Sequence, residues 1–183
     1  WIESSCTILI DESFLDFCDK ASAIKYLETY DKLYILKSMT KFYSSAGIRV
    51  GTIVSTKENI EKLKEFEPMW KLSQFDSNYL QAALDDKLFK NLSKEINIKN
   101  KIELENILRN SSLIEEIFES SANYVLVKLK NLSAKEFQEK LKPYKIMVRD
   151  CSNFDYLNSS HVRIAVKSSS ANEILQRALK EIC

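Results

Sequence analysis

Residues 5–10 form a short apolar run with β-branched members, and the polar residues 11–13 end it. A strand without regularly alternating polar positions is covered on both faces, which is typical of a parallel sheet flanked by helices. Two later runs, Leu33–Leu36 and Arg49–Ser55, have a similar character. The sequence therefore predicts an α/β fold whose first part contains a mainly parallel sheet.

Four segments carry apolar residues at helical spacing, with partners three and four positions apart. They are 19–30, Lys57–Phe66, Asn78–Lys90 and Ile96–Phe118. The last segment is long enough to connect two domains. We therefore expect a first part at residues 1–91 and a second part at residues 92–183.

The second part of the sequence switches again between strand and helix patterns. Its predicted elements are strand Tyr124–Leu129, helix Ser133–Leu141, strand Ile146–Arg149, strand Val162–Val166 and helix Ala171–Ile182. Ser133 is followed three residues later by Glu136, which is the pattern of a helix capping box. This order of elements predicts a small α/β domain.

The charge balance narrows the classes of partner. The chain has 27 basic and 26 acidic residues, which gives no excess of positive charge for nucleic acid or for an anionic membrane. No apolar run reaches the roughly 18 residues of a membrane span. We therefore expect neither a nucleic acid nor a membrane as partner.

Residues that could bind a metal are few and scattered. They are Cys6, Cys18, Cys151, His161 and Cys183. A structural zinc site needs about four Cys or His ligands in close, paired spacing, so no metal site is expected. Free thiols favour a reducing compartment and hence a cytoplasmic location. His161 is expected to be a surface residue at a strand end and not a catalyst.

Glycine is rare in this chain, since average usage of about 7% would give about a dozen. The two present, Gly47 and Gly51, both lie in the stretch Ser38–Gly51. Glycine is retained where the backbone needs a positive φ or a close approach. The stretch is therefore a candidate functional segment, although a plain turn before a strand explains the two glycines equally well.

The same stretch contains Ser38, Thr40 and Lys41, with Arg49 eight positions after the lysine. This pattern resembles the cofactor-lysine motif of fold-type I enzymes that depend on pyridoxal 5'-phosphate (PLP). The resemblance implies that Lys41 holds PLP as a Schiff base, and that Ser38 and Arg49 bind its phosphate. Hydroxyl donors and a guanidinium fork suit a dianionic phosphate. The alternative for Lys41 is an ordinary solvated lysine.

A second match lies upstream, where Ile10–Phe14 resembles the family's Asp-Glu-Ala-(Tyr/Phe) segment. The resemblance implies that Asp11 pairs with the pyridine nitrogen of PLP and keeps the ring protonated. A carboxylate that caps a strand end is the alternative for Asp11. Phe14 departs from the tyrosine of aminotransferases and is similar to the cobalamin-pathway threonine-phosphate decarboxylases.

A third match joins Val148–Phe154 with His161–Val166. It resembles the same decarboxylase branch and, more loosely, the histidinol-phosphate aminotransferases. The resemblance implies that Arg163 binds an anionic end of the substrate and that Arg149 contributes to the same site. Arginines of an edge strand that face water are the alternative, although a charge in the middle of a strand is costly unless it is paired.

The resemblance implies that residues 1–91 are the C-terminal part of a PLP-binding large domain and residues 92–183 a connecting helix and small C-terminal domain. It further implies a homodimeric parent enzyme that acts on a small phosphorylated amino acid. We expect an O-phospho-amino-acid decarboxylase, with an aminotransferase of the histidinol-phosphate type or a non-catalytic fragment as alternatives. Because the sequence starts at Trp1 and matches only the second half of the family, the isolated chain is expected to be an inactive fragment without PLP.

Overall fold

A computed structural model describes residue 3 and residues 5–183 of the chain. The described residues form two compact units, the first ending at Ser93 and the second comprising Lys94–Cys183. The expectation that rests on Trp1 lies outside the described residues. The assignment of 1–91 and 92–183 to domains of a parent enzyme stays a prediction.

The first unit contains a three-stranded sheet in the order β1-β2-β3, made of Ile8–Asp11, Leu33–Ser38 and Gly51–Val54. β1 and β2 are parallel, whereas β2 and β3 are antiparallel. The predicted mainly parallel sheet is therefore confirmed for the first pair and wrong for β3, because the chain returns through one short helix and a loop. The buried core of this sheet consists of Leu33 and Ile35 of β2 together with Tyr30.

The predicted helix at residues 19–30 is wrong, since only Ala23–Tyr26 forms a single 3-10 turn. The buried carboxylate of Glu12 explains this difference. It accepts hydrogen bonds from the Ser22 hydroxyl at 2.8 Å and from the Ala23 backbone N–H at 2.7 Å. These bonds satisfy the start of the turn at Ala23 and tie it to the end of β1.

Further along, the helices of the first unit are α1 (Met39–Phe42), α2 (Lys57–Lys64), α3 (Gln74–Asp85) and the start of α4 (Phe89–Arg109). The predicted boundary at Lys90 is displaced because Asp86 accepts the backbone N–H groups of Leu88 and Phe89. That carboxylate ends one helix and begins the next.

The second unit has a four-stranded sheet in the order β4-β5-β7-β6, with every neighbouring pair antiparallel. The strands are β4 (Ile114–Ile117), β5 (Tyr124–Leu129), β6 (Arg149–Asp150) and β7 (His161–Ala165), and the helices are α5 (Ala134–Leu141) and α6 (Ser169–Ile182). The predicted capping box of Ser133 and Glu136 at α5 is confirmed.

Three boundaries in the second unit differ from prediction by more than one residue. The segment Ile114–Ile117 is a strand and not the end of a helix, because it pairs with β5. β6 begins only at Arg149, because the Gln138 side-chain amide binds the Val148 carbonyl at 2.9 Å. α6 begins at Ser169, since Ser168 caps it.

One face of the second sheet is buried and the other is partly open. Buried residues alternate along β5, and its buried positions pack with α4, α5 and α6 around the fully buried Phe137. The opposite face presents Tyr124, Leu126 and Lys128 of β5, each half-buried. This open face is the surface on which side chains of the second unit are available for binding.

The predicted surface position of His161 is wrong, since only 7% of the residue is exposed. Its Nδ1 atom lies 3.3 Å from the Asn158 backbone nitrogen and 2.9 Å from the Asn158 side-chain oxygen. The imidazole also packs on Phe118, with ring centroids 5.9 Å apart. His161 therefore fastens the turn that leads into β7.

No helix in the described part of the chain is long and apolar enough to cross a membrane.

Candidate active site

The carboxyl ends of β1 and β2 place two candidate residues at the same edge of the first sheet. Asp11 is the last residue of β1 and pairs in register with Leu36. Ser38 ends β2 and caps the four-residue helix α1, which carries Lys41. Parallel strands that end together bring such residues to one edge, which is where ligands bind in open α/β sheets.

The side chains of Ser38, Thr40 and Lys41 form one polar group. The Lys41 Nζ atom donates to Ser38 Oγ at 3.2 Å, and the Ser38 and Thr40 hydroxyls are 2.8 Å apart. Lys41 is exposed, whereas Thr40 is buried. The amine and the two hydroxyls therefore converge at the start of α1.

The carboxylate of Asp11 is held in its ionised form. It accepts hydrogen bonds from the Ser13 hydroxyl and from the Ser13 backbone N–H, the latter at 2.8 Å. The Ser13 hydroxyl lowers the pKa of Asp11 most, and the Ser13 N–H and the charge of Lys41 lower it further against the opposing effect of burial. Asp11 and Lys41 are therefore close enough to interact electrostatically, and Asp11 is negative at neutral pH.

Phe14 lies beside the candidate lysine. The Lys41 Nζ atom is 5.5 Å from the centroid of the Phe14 ring, within the range of a cation–π contact. A phenylalanine at this place offers an apolar face and no hydroxyl donor.

A closed loop leads from α1 to Arg49. The Ser45 hydroxyl donates to the Met39 carbonyl at 2.7 Å, and the Met39 N–H donates to the Val50 carbonyl at 3.1 Å. Arg49 itself has a φ of 57°, a left-handed conformation that costs energy outside glycine. Its guanidinium donates to the Ala46 carbonyl at 3.1 Å, which leaves most of its donors for an anion.

The two glycines of this segment differ in their surroundings. Neither has a positive φ. Gly51 pairs with Ser38, and a Cβ atom there would lie 2.8 Å from the Lys37 carbonyl oxygen. Nothing lies within 4 Å of the corresponding position at Gly47. Close backbone approach therefore explains Gly51, and nothing in the structure explains Gly47.

We expect Gly51→Ala to lower the free energy of unfolding by about 1–3 kcal/mol, because the added methyl group has no room beside the strand carrying Ser38. Gly47→Ala is the matched control and should be neutral or raise stability by up to about 1 kcal/mol. Urea unfolding of both variants checks this. Equal stabilities would show that the close approach at Gly51 is not needed.

In the second unit, Arg149 and Arg163 are register partners on β6 and β7. Arg149 is exposed and donates to the Asn153 side-chain oxygen at 3.3 Å, while Arg163 is half-buried. The Arg163 guanidinium carbon lies 4.5 Å from the centroid of the Tyr124 ring. The structure thus brings the two predicted arginines together on the open face of this sheet.

Three residues of the candidate sites were not predicted to have a role. Ser13 fixes Asp11, Glu12 anchors the 3-10 turn, and Tyr124 contacts Arg163. An Asp followed two positions later by Ser is a typical local side-chain-to-backbone pattern, which gives a signal for Ser13. Tyr124 had no such signal, because its neighbour lies on another strand. No cluster of three His, Cys, Asp or Glu residues among those described can hold a metal.

The chain is similar to known proteins over almost its whole length. The profile of the family described as "Aminotransferase class I and II" matches residues 2–182. A protein named as a threonine-phosphate decarboxylase, from Caldanaerobacter subterraneus subsp. tengcongensis, is 32% identical over 179 residues, which cover 94% of this chain and 48% of that protein.

Solved structures show the same fold. The histidinol-phosphate aminotransferase from Clostridium acetobutylicum matches with a TM-score of 0.89 and 32% identity, covering 99% of this chain and 55% of that chain. The histidinol-phosphate aminotransferase from Sinorhizobium meliloti, solved in complex with PLP, has a TM-score of 0.84 at 19% identity, covering 95% of this chain and 48% of that chain. This chain therefore spans about half the length of the relatives it matches.

The predicted α/β fold is confirmed by these structural matches. The site roles of individual residues stay predictions. The family match extends over almost the whole sequence, and two relatives are 32% identical to it. The chain belongs to the class I and II aminotransferase family of PLP-dependent enzymes.

Proposed function

We propose that this chain carries the PLP-binding lysine and part of the substrate site of an enzyme that acts on a phosphorylated amino acid. The observation that carries the proposal is the arrangement of Lys41 with Ser38 and Asp11. The lysine amine is 3.2 Å from the Ser38 hydroxyl, and its charge adds to the hydrogen bonds from Ser13 that lower the pKa of Asp11. PLP requires an amine that attaches it, a hydrogen-bond donor for its phosphate and a carboxylate for its ring nitrogen. Lys41, Ser38 and Asp11 match these three requirements.

The residues present fit the cofactor by their chemistry. Lys41 would attach it, Asp11 would hold its ring nitrogen, and Ser38 and Arg49 would hold its phosphate. When bound, PLP supplies an electron sink for bonds broken at the substrate's α-carbon. Asp11 suits its place because Ser13 keeps it ionised. Arg49 suits its place because its guanidinium pairs with a carbonyl and not with a carboxylate.

Lys41 would move a proton as well as hold the cofactor. Its amine is exposed and lies 3.2 Å from the Ser38 hydroxyl and 5.5 Å from the centroid of the Phe14 ring. With its amine free, Lys41 would be able to act as a general base or acid at the α-carbon. Which bond breaks there depends on how the substrate is oriented.

We propose decarboxylation of an O-phospho-amino acid, such as O-phosphothreonine, as the reaction. Arg149 and Arg163 suit a substrate with both phosphate and carboxylate, whereas histidinol phosphate carries no carboxylate. Phe14 supports the same choice because it lacks the tyrosine hydroxyl of aminotransferases, although one neutral hydrogen bond is worth only about 1 kcal/mol. The 32% identity to a protein named as a threonine-phosphate decarboxylase agrees with it.

Transamination of the histidinol-phosphate type is the second candidate. One specific observation favours it. The Clostridium acetobutylicum aminotransferase is 32% identical to this chain, as is the protein named as a decarboxylase, and its structure matches with a TM-score of 0.89. The fold itself does not choose between the reactions, because one fold hosts many chemistries.

The two reactions are separated by supplying the full-length enzyme with PLP and O-phosphothreonine or O-phosphoserine. We expect release of carbon dioxide without any 2-oxo acid acceptor. The enzyme is an aminotransferase if turnover strictly requires a 2-oxo acid acceptor and glutamate forms from 2-oxoglutarate. In that case we expect histidinol phosphate to be the preferred amino donor.

Because the chain spans only half the length of its relatives, we propose that the isolated chain is inactive and binds PLP weakly.

A further inference from the structure

Arg163 lies in the middle of β7 with an unusual set of neighbours. Its register partner on β6 is Arg149, so two cationic side chains face each other across adjacent strands. Like charges that are directly opposite destabilise a sheet. A contact that holds the Arg163 guanidinium, or an anion between the two side chains, would offset this repulsion.

The position of Arg163 is not fixed by a carboxylate. Within residues 5–183, its guanidinium makes no ion pair and no side-chain hydrogen bond, and its central carbon lies 4.5 Å from the centroid of the Tyr124 ring. The strand register explains the contact. Arg163 is opposite Leu126 and Tyr124 is opposite Ala165, so the arginine and the tyrosine are diagonal neighbours on one face. Diagonal pairs are within reach when one side chain is long and the other aromatic.

We propose that Tyr124 is a positioning residue that holds Arg163 by stacking so that it binds the anionic group of the substrate. The inference rests on the proposed function, since it assumes that Arg163 binds that group. A carboxylate in the same role would fix the guanidinium but would also neutralise it and occupy its donors. An aromatic face fixes the plane of the guanidinium and leaves its charge and its N–H donors available.

In this role the aromatic face of Tyr124 is important and its phenol hydroxyl is not. Tyr124→Phe should therefore keep the KM for O-phosphothreonine within about twofold of the parent enzyme, since phenylalanine retains a π-face. Tyr124→Ile should raise that KM by about tenfold, because Arg163 loses the contact that positions it. The kcat should stay nearly unchanged, because Tyr124 does not contact the reacting atoms. Isoleucine is chosen because β-branched residues suit a half-buried strand.

The decisive experiment is a double-mutant cycle in the full-length enzyme, with KM for O-phosphothreonine measured for Tyr124→Ile, Arg163→Ala and the double variant. If Tyr124 acts through Arg163, its substitution should add nothing once the arginine is absent. An equal rise of KM from Tyr124→Ile in both backgrounds would overturn the inference. Circular dichroism confirms folding, and Tyr124→Met takes the place of Tyr124→Ile if the latter does not fold.

The same cycle separates failure of the inference from failure of the proposed function. If Arg163→Ala raises KM and Tyr124→Ile does not, the anion site stands and the positioning role is wrong. If Arg163→Ala itself leaves KM unchanged, the proposed anion site is wrong and the inference fails with it. Tyr26→Ile is the matched control. The Tyr26 ring also contacts a cation, because Lys25 Nζ lies 4.9 Å from its centroid. This substitution should leave the KM unchanged.

Discussion

Lys41→Ala should reduce turnover of the full-length enzyme by at least about 10³-fold, the upper range for loss of a positioned general acid–base group. The reason is that Lys41 has two proposed tasks, since it attaches the cofactor and it moves the proton at the α-carbon. Its amine is the cationic group that lies both beside Ser38 and within electrostatic reach of Asp11. Initial rates with saturating PLP and O-phosphothreonine measure the effect.

Lys57→Ala is the control for this substitution. Lys57 is the exposed first residue of α2, and it has no place in the candidate site. Its loss should leave turnover unchanged. A Lys41→Ala enzyme that retains a tenth or more of the parent rate would contradict the assignment, whatever the behaviour of the control.

Arg163→Ala should raise the KM for O-phosphothreonine by about 10²-fold or more. A guanidinium that binds an anion through two charge-assisted hydrogen bonds, each worth roughly 1.5–3 kcal/mol, supplies an effect of that size. Arg163→Lys keeps the charge but loses the planar fork, so its KM should fall between those of the parent and the alanine variant. Steady-state kinetics over a wide range of substrate concentration gives all three values.

Arg177→Ala is the corresponding control, because Arg177 is an exposed arginine of α6 in the same unit. Its KM should equal that of the parent. If Arg163→Ala and Arg177→Ala have the same KM, Arg163 is a surface arginine and the substrate's anion binds elsewhere.

The parts of the structure that the sequence predicts well are those specified by local chemistry. Apolar runs predicted β1 and β2, and the Ser133 and Glu136 pair predicted the start of α5. The motif residues Ser38 and Lys41 were expected together because they are three positions apart, and a strand end followed by one helical turn brings them within hydrogen-bond distance.

Three of the errors have a common cause, which is that partners on other strands decide the outcome. Ile114–Ile117 has apolar residues three positions apart and fits a helix as well as a strand, and its pairing with β5 selects the strand. The antiparallel direction of β3 likewise depends on the path of the loop that leads from α1 back to β2. Tyr124 and Arg163 are 39 positions apart, so their contact required the register of β5 against β7.

The most direct test of the central claim is to reduce the PLP-loaded full-length enzyme with borohydride and to identify the modified peptide by mass spectrometry. Reduction makes the link between PLP and a lysine permanent, so the site of attachment is read without reference to activity. We predict that the cofactor's mass is found on the peptide containing Lys41 and is absent from the same experiment on Lys41→Ala. Modification of another lysine in the parent enzyme, with Lys41 unmodified, would contradict the account.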